Sequence, residues 1–259
     1  KEQVTPCFFP TMMFNSERIR KIDDICQNLL PYITRTRLVN YVDLRLNTNF
    51  RARRDVLTFV DSGGFRLKEE RAIISSQGSR LIWRNEEIRI QDILKKQCQN
   101  GDIGNTLDFP ISPHANNKND CVQFNLNSAR KSLDKKPDDL FLYGSIQAWD
   151  YESAIEYSKE IASYPFDGFA IGGLVQFSRE PQKVIDIVAG VRKIIPDEKP
   201  VHAFGVASPT LIPILVKLGV DTFDSSSYIR LSLDRKYYLR LCGEKMTVSE
   251  EMDKMNAPC

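Results

Sequence analysis

No run of apolar residues in this chain approaches the roughly 18 needed for a helical membrane span, and its start lacks the zones of a secretory signal. Cysteine is scarce: six in 259 residues, at 7, 26, 98, 121, 242 and 259, with no CxxC pair. That spacing excludes a disulfide scaffold and leaves reduced thiols, as in a cytoplasmic protein, as the expectation. Histidine is scarcer still, with two residues. Charge of one sign is also lacking: the formal net charge is +2, so any basic footprint for a nucleic acid must be local. No GxGxxG opens a helix after a strand, so the dinucleotide fold lacks its fingerprint. There is no internal repeat and no low-complexity segment. What remains is an ordinary globular composition, 42% apolar and 27% charged, long enough for one large core. The chain opens on Lys1 and closes on Cys259, and both ends read as cuts from something longer.

Apolar periodicity gives the elements. Ser16 caps a helix running to about Leu30, and Leu38 to Leu44 alternates as a strand. Val56 to Val60 is a β-branched and aromatic run that stops at Asp61-Ser62-Gly63-Gly64-Phe65, the signature of a buried strand entering a sharp turn. Residues 81–90 are ambiguous; Glu86 to Cys98 reads as a helix and Asn105 to Pro110 as a short strand. Thereafter helix and strand alternate. Helices are expected over Asn119–Leu133, Asp150–Ser163, Glu180–Ile195 and Pro209–Leu218. Strands are expected over Leu140–Ile146, Gly168–Ile171, Pro200–Val206 and Val220–Phe223.

Alternation of this kind implies parallel strands with helical crossovers, in an open doubly wound sheet or a closed barrel. Several strands end in chemically loaded residues: Asp61, Asp108, Gln147, Gly172-Gly173, Gly205 and Asp224. An open sheet would spread these ends along an edge at about 4.8 Å per strand. A closed barrel gathers them around one mouth, and the length matches the roughly 250 residues of a (β/α)8 TIM-type barrel. The expectation is therefore a single α/β barrel domain over residues 1–259.

With these ends side by side, the chain resembles the guanine transglycosylase family, the queuine and archaeosine tRNA-ribosyltransferases and their DNA-acting relatives. The matching pieces are DSGGF (61–65), LDFPISP (107–113), GSIQ (144–147), DGFAIGGL (167–174), KPVHAFGVASP (199–209) and GVDTFDSSSYIR (219–230), in the family's order. The first 50 residues match poorly. The resemblance implies exchange of guanine in a polynucleotide, tRNA first and DNA as the alternative, for a 7-deazaguanine base. It implies a double displacement at C1′ through a covalent aspartyl intermediate. Asp224 aligns with the nucleophile and Asp61 with the proton-handling carboxylate; Asp221 is the rival to Asp224 and ends no apolar run.

The base-binding set implied is Ser62, Gly63, Phe65, Asp108, Gln147 and the backbone of Gly172, Gly173 and Leu174. A carboxylate suits guanine's N1–H and amine, and an amide or backbone N–H suits its O6 and N7. Phe65 is placed to stack on a flipped base or to join the core. Arg230, Arg235, Lys236 and Arg240, with Arg51, Arg53 and Arg54, are candidates to track phosphates near the mouth. The partners implied are a polynucleotide, a 7-deazaguanine and a like or unlike second subunit.

Three departures stand out. Arg66 replaces the Gln that usually follows DSGGF, and Ser-Ser-Ser-Tyr follows Asp224. The family's CxCxxC zinc site with its later His is missing; Cys259 falls where the first ligand belongs. The C-terminal zinc subdomain is thus largely absent, and zinc is expected only if the chain continues. His202 reads as a satisfied core residue and His114 as a loop residue. Two other readings are a non-catalytic subunit that keeps the barrel, which Asp61, Asp108 and Asp224 argue against, and a barrel enzyme for a phosphorylated metabolite, which the missing glycine-rich phosphate loop disfavours.

Overall fold

The computed structural model describes residues 6–12, 34–46, 50, 52–75, 79–238 and 245–247. Its centre is an eight-stranded sheet in which every pairing is parallel. The strands are β1 (Cys7–Pro10), β2 (Thr36–Asn40), β3 (Leu57–Asp61), β4 (Ile103–Asn105), β5 (Phe141–Gln147), β6 (Gly168–Gly172), β7 (Val201–Ala203) and β8 (Thr222–Ser225). From β2 onward each strand pairs with the next, and β8 pairs with β1. Between β1 and β2 the circle is closed by the Thr11–Leu38 bridge, by Met12 N–H donating to Leu38 O at 2.7 Å, and by Thr36 Oγ1 donating to Phe8 O at 2.6 Å. The sheet is therefore a barrel, as the alternating pattern predicts, and every strand end named above faces one rim.

Strand periodicity sorts the side chains into two sets. Those facing the lumen include Phe9, Leu38, Phe59, Tyr143 and Ala170, which form a buried cluster with Phe204 against it. Phe59 is its hub, with ring centroids 6.1 Å from Phe9, 5.6 Å from Tyr143 and 4.8 Å from His202. The other set, with Leu142, Phe169, Ile171, Val201 and Phe223, packs outward under the helices. Each buried residue of this size contributes about 1.5–3 kcal/mol relative to exposure.

The helical shell follows from capping and from apolar faces. Asp150 caps Tyr151–Ile161 in a capping box with Ser153, and Ala154, Tyr157 and Ile161 face inward. Pro181 opens Pro181–Arg192, which turns Val184, Ile187, Val188 and Val191 to the sheet. Helices Ile90–Asn100 and Lys118–Leu133 follow β3 and β4. Tyr41–Leu46, Gly64–Glu69, Ile212–Lys217 and Ser227–Leu233 are short.

Some boundaries differ from those expected. The strand through Leu38 stops at Asn40, whose Oδ1 accepts from Asp43 N–H at 2.9 Å and starts a helix where alternation continues in sequence. Segment 81–90 belongs to a three-stranded antiparallel flap, Ile73–Ile74, Leu81–Trp83 and Glu86–Glu87. Arg84 and Asn85, both at positive φ, make its turn, and the next helix starts at Ile90 and not at Glu86. The strand expected at Asn105–Pro110 ends at Asn105, beyond which Ser145 N–H donates to the Thr106 side chain, Oγ1, at 3.0 Å in place of a ladder bond. The helix expected at Ser16–Leu30 lies outside the described residues.

Candidate active site

Period two carries the barrel's lumen pattern up to its rim. Two residues above Phe59 is Asp61; two above Thr222 is Asp224; two above Ser145 is Gln147; two above Phe9 is Thr11. These side chains thus form the top layer of the lumen. Asp221 has the opposite parity and lies at the start of β8, where its Oδ2 accepts from Val201 N–H at 2.8 Å. It braces the sheet, and its parity keeps it out of the layer that Asp224 joins.

Asp224 is buried, and donors fix its carboxylate. Its Oδ1 accepts from Gly205 N–H at 2.8 Å and lies 3.3 Å from His202 Nε2; its Oδ2 accepts from Thr11 Oγ1 at 2.6 Å. His202 Nδ1 lies 2.8 Å from Thr222 Oγ1. With Thr222 donating to Nδ1, Nε2 carries the proton and donates to Asp224. His202 is fully buried and satisfied, as the sequence suggests, yet one of its partners is the candidate nucleophile. Its inward parity beside β8 is the signal that the sequence reading passed over.

Asp61 is held differently. One N–H, from Gly63, reaches its Oδ2 at 3.1 Å. Desolvation in its surroundings, reinforced by the negative charges of Asp108 and Asp224, raises its carboxyl from the ordinary range to about 8, with Gly63 and Asn105 opposing. Asp61 thereby keeps a proton at neutral pH, while the side-chain oxygens of Asp224 are met by Thr11, Gly205 and His202.

Asp108 is buried and accepts from Ser62 Oγ at 2.8 Å and from Gln147 Nε2; burial raises its carboxyl and these bonds oppose that. Gln147 Oε1 is buried without a hydrogen-bond partner among the described residues. Asn105, which sequence reasoning missed, lies fully buried below the acids. Its Oδ1 accepts from Ser62 N–H at 2.8 Å and its Nδ2 donates to Ser145 Oγ at 2.9 Å. Ser62 is accordingly a brace between β3 and Asp108.

The two glycines after Ser62 serve different ends. Gly63 takes φ 82°, a left-handed conformation that starts the next helix. At Gly64 a Cβ would come within 1.9 Å of Asp108 O, so the loop carrying Asp108 packs directly on this backbone. Gly172 makes the equivalent approach, its Cβ position lying 2.1 Å from Gln147 Nε2. Leu174 turns its side chain into the core, leaving its backbone at the rim. Phe65 is 47% exposed, so it stands out from the core. Arg66 pairs with Glu69 and Glu70 along its own helix, at 3.4 and 2.9 Å, and not with the site acids.

Of the basic candidates, Arg230, Arg235 and Lys236 are exposed and follow β8 in the chain. Arg54 does not join them. It is exposed but precedes β3, and strand direction puts it at the opposite end of the barrel from Asp61; Arg53, beside it, pairs with Asp55 at 2.8 Å. Arg51, Arg240 and Cys259 lie outside the described residues, among which no cluster of three His, Cys, Asp or Glu residues is placed to hold a metal. No helix among the described residues is long and apolar enough to cross a membrane.

Fold and rim together define a (β/α)8-barrel protein with an acid-paired site at the carboxyl end of its strands. The family model described as queuine tRNA-ribosyltransferase matches residues 31–259. The chain belongs to that family. It is similar to the tRNA-guanine(15) transglycosylase of Methanococcus aeolicus, 28% identical over 201 residues, which is 73% of this chain and 31% of the relative. The Methanopyrus kandleri protein of the same name is 28% identical over 213 residues, 79% of this chain and 42% of that one. The Pyrobaculum aerophilum protein, again of that name, is 32% identical over 163 residues, 60% and 33%. The chain thus spans about a third to two-fifths of the length of these curated relatives.

Proposed function

We propose that this chain catalyses base exchange at C1′ of a guanosine in tRNA, replacing guanine with a 7-deazaguanine. The observation that carries the reading is the pair of acids on one rim, Asp61 raised to about 8 and Asp224 held by Thr11, Gly205 and His202. An Asp224 lone pair attacks C1′, and the C1′–N9 electrons leave with guanine, which takes the Asp61 proton at N9. The resulting glycosyl ester is then attacked by N9 of the incoming base, whose proton returns to Asp61. Protons balance over the cycle, and two inversions retain configuration.

Base selection rests on Asp108 and Gln147. These two are bonded to each other in the structure, and a guanine edge matches both: its N1–H and amine donate to Asp108, and its O6 accepts from Gln147 Nε2. Gly173 and Leu174 offer backbone polar groups beside them, and Phe65 supplies an exposed ring on which a flipped base stacks. Arg230, Arg235 and Lys236 meet phosphates on the same side. The incoming base and a second subunit are expectations from the family resemblance.

The experiment is incorporation of radiolabelled guanine into tRNA or duplex DNA by the full chain. Label in tRNA is expected. Label in DNA alone replaces the polymer while keeping the chemistry, and label in neither removes the reading.

A further inference from the structure

We infer that Thr11 is a positioning residue that selects Oδ2 of Asp224 as the attacking atom, an inference that rests on the base-exchange reading. Thr11 lies before residue 31, outside the stretch matched by the family model, and 213 positions from Asp224. Barrel closure alone brings the two together.

Thr11 is held on every side. Its N–H donates to Ser225 O at 3.2 Å, its carbonyl accepts from Tyr228 Oη at 3.0 Å, and it forms the bridge to Leu38 that joins β1 to β2. The register sets Phe9 opposite Asp224 and Pro10 opposite Ser225, so Thr11 stands one step above the carboxylate. From there Oγ1 donates to Oδ2 at 2.6 Å, the short range of a bond between a hydroxyl and a charged oxygen.

The two oxygens of Asp224 are thereby made unequal. A carboxylate oxygen has about two in-plane acceptor sites. On Oδ1 both are taken, by Gly205 N–H and by the His202 Nε2 proton. On Oδ2 one is taken by Thr11 and one is left among the described residues. The remaining Oδ2 lone pair forms the bond to C1′ as the N9 bond breaks, and Thr11 keeps its own proton. Oδ1 becomes the ester carbonyl and retains the Gly205 N–H. In the second half the C1′–Oδ2 electrons return to Oδ2, where the Thr11 hydroxyl meets the restored charge. Thr11 therefore serves both displacements by aim and not by proton transfer.

The test compares Thr11→Val, which keeps the β-branched shape and loses the hydroxyl, with Thr11→Ser, which keeps the hydroxyl. Single-turnover formation and discharge of the covalent adduct with tRNA are measured beside tRNA affinity and melting temperature. Thr11→Val is expected to slow both half-reactions about ten- to a hundredfold, as suits a lost bond to a charged oxygen, with affinity unchanged; Thr11→Ser stays within about threefold of the parent. If Thr11→Val does not fold, Thr11→Ala takes its place against Thr11→Ser. Parental rates without the hydroxyl, or equal losses with and without it that track melting temperature, overturn the inference. A parent chain that forms no adduct with either tRNA or DNA overturns base exchange itself, and the role of Thr11 with it.

Discussion

Asp61 sits where two effects pull against each other: burial and neighbouring charge favour its neutral form, and Gly63 N–H and the Asn105 side chain favour the anion. Burial wins, and the consequence reaches stability. The folded carboxyl keeps its proton to about pH 8, while the unfolded chain releases it near pH 4. The unfolded state therefore binds fewer protons across that window, and stability falls as pH rises from about 4 to about 8. Asp61→Asn removes this slope. Thermal melts should find the variant level with the parent at pH 4 and higher-melting by about ten degrees at pH 8, while adduct formation drops by about a thousandfold. The reverse order of melting temperatures contradicts the placement of Asp61. A second residue-scale prediction concerns Gly64, where an added Cβ meets Asp108 O at 1.9 Å. Gly64→Ala must push the Asp108 loop away, so guanine affinity should fall at least about tenfold, an amount equivalent to about 1.4 kcal/mol. Unchanged guanine binding by calorimetry would mean that the loop is not held by this contact.

At the scale of elements, the helix Tyr151–Ile161 depends on its cap. Asp150 Oδ1 accepts from Ser153 N–H at 2.8 Å, and Ser153 Oγ accepts from Asp150 N–H at 3.1 Å. Asp150→Ala should cost about 1 kcal/mol, read as a melting temperature lower by about 2–4 °C, with base exchange unaffected because the helix meets the outer face of the barrel. Strand ends were the legible part of this molecule. Asp61, Gln147, Gly172 and Asp224 each close an apolar run, and period two alone sends Asp224 inward and Asp221 outward. The helix start at Asp150 was equally plain. The less visible features needed neighbours in space. Asn40 looks like one more alternating position until its side chain is seen capping Asp43. Asn105 is read as part of a strand, whereas its amide is what ties Ser62 to Ser145. His202 gains its meaning only from the register with Thr222 and Asp224. Arg54 needed only strand direction, which the sequence already supplied, since a residue before β3 cannot share a rim with the residue that ends it.

The closed barrel is what makes a site from residues so far apart. β1 pairs with β8 and bridges to β2, so the start of the chain completes the ring on which Asp61 and Asp224 sit. Arg230, Arg235 and Lys236 follow β8 in the chain and are exposed. Arg230→Ala should weaken tRNA binding and lower the salt slope of log affinity by about 1, while Arg54→Ala, at the other end, leaves both unchanged. Filter binding across a salt series separates the two. In the proposed chemistry Asp224 carries the covalent bond to C1′. The most direct measurement traps the protein with guanosine-containing tRNA, digests the adduct and maps the modified peptide by mass spectrometry. A glycosyl ester on Asp224, lost in Asp224→Ala and retained in Asp221→Ala, is the predicted result. An adduct on any other residue, or one that survives Asp224→Ala, contradicts it.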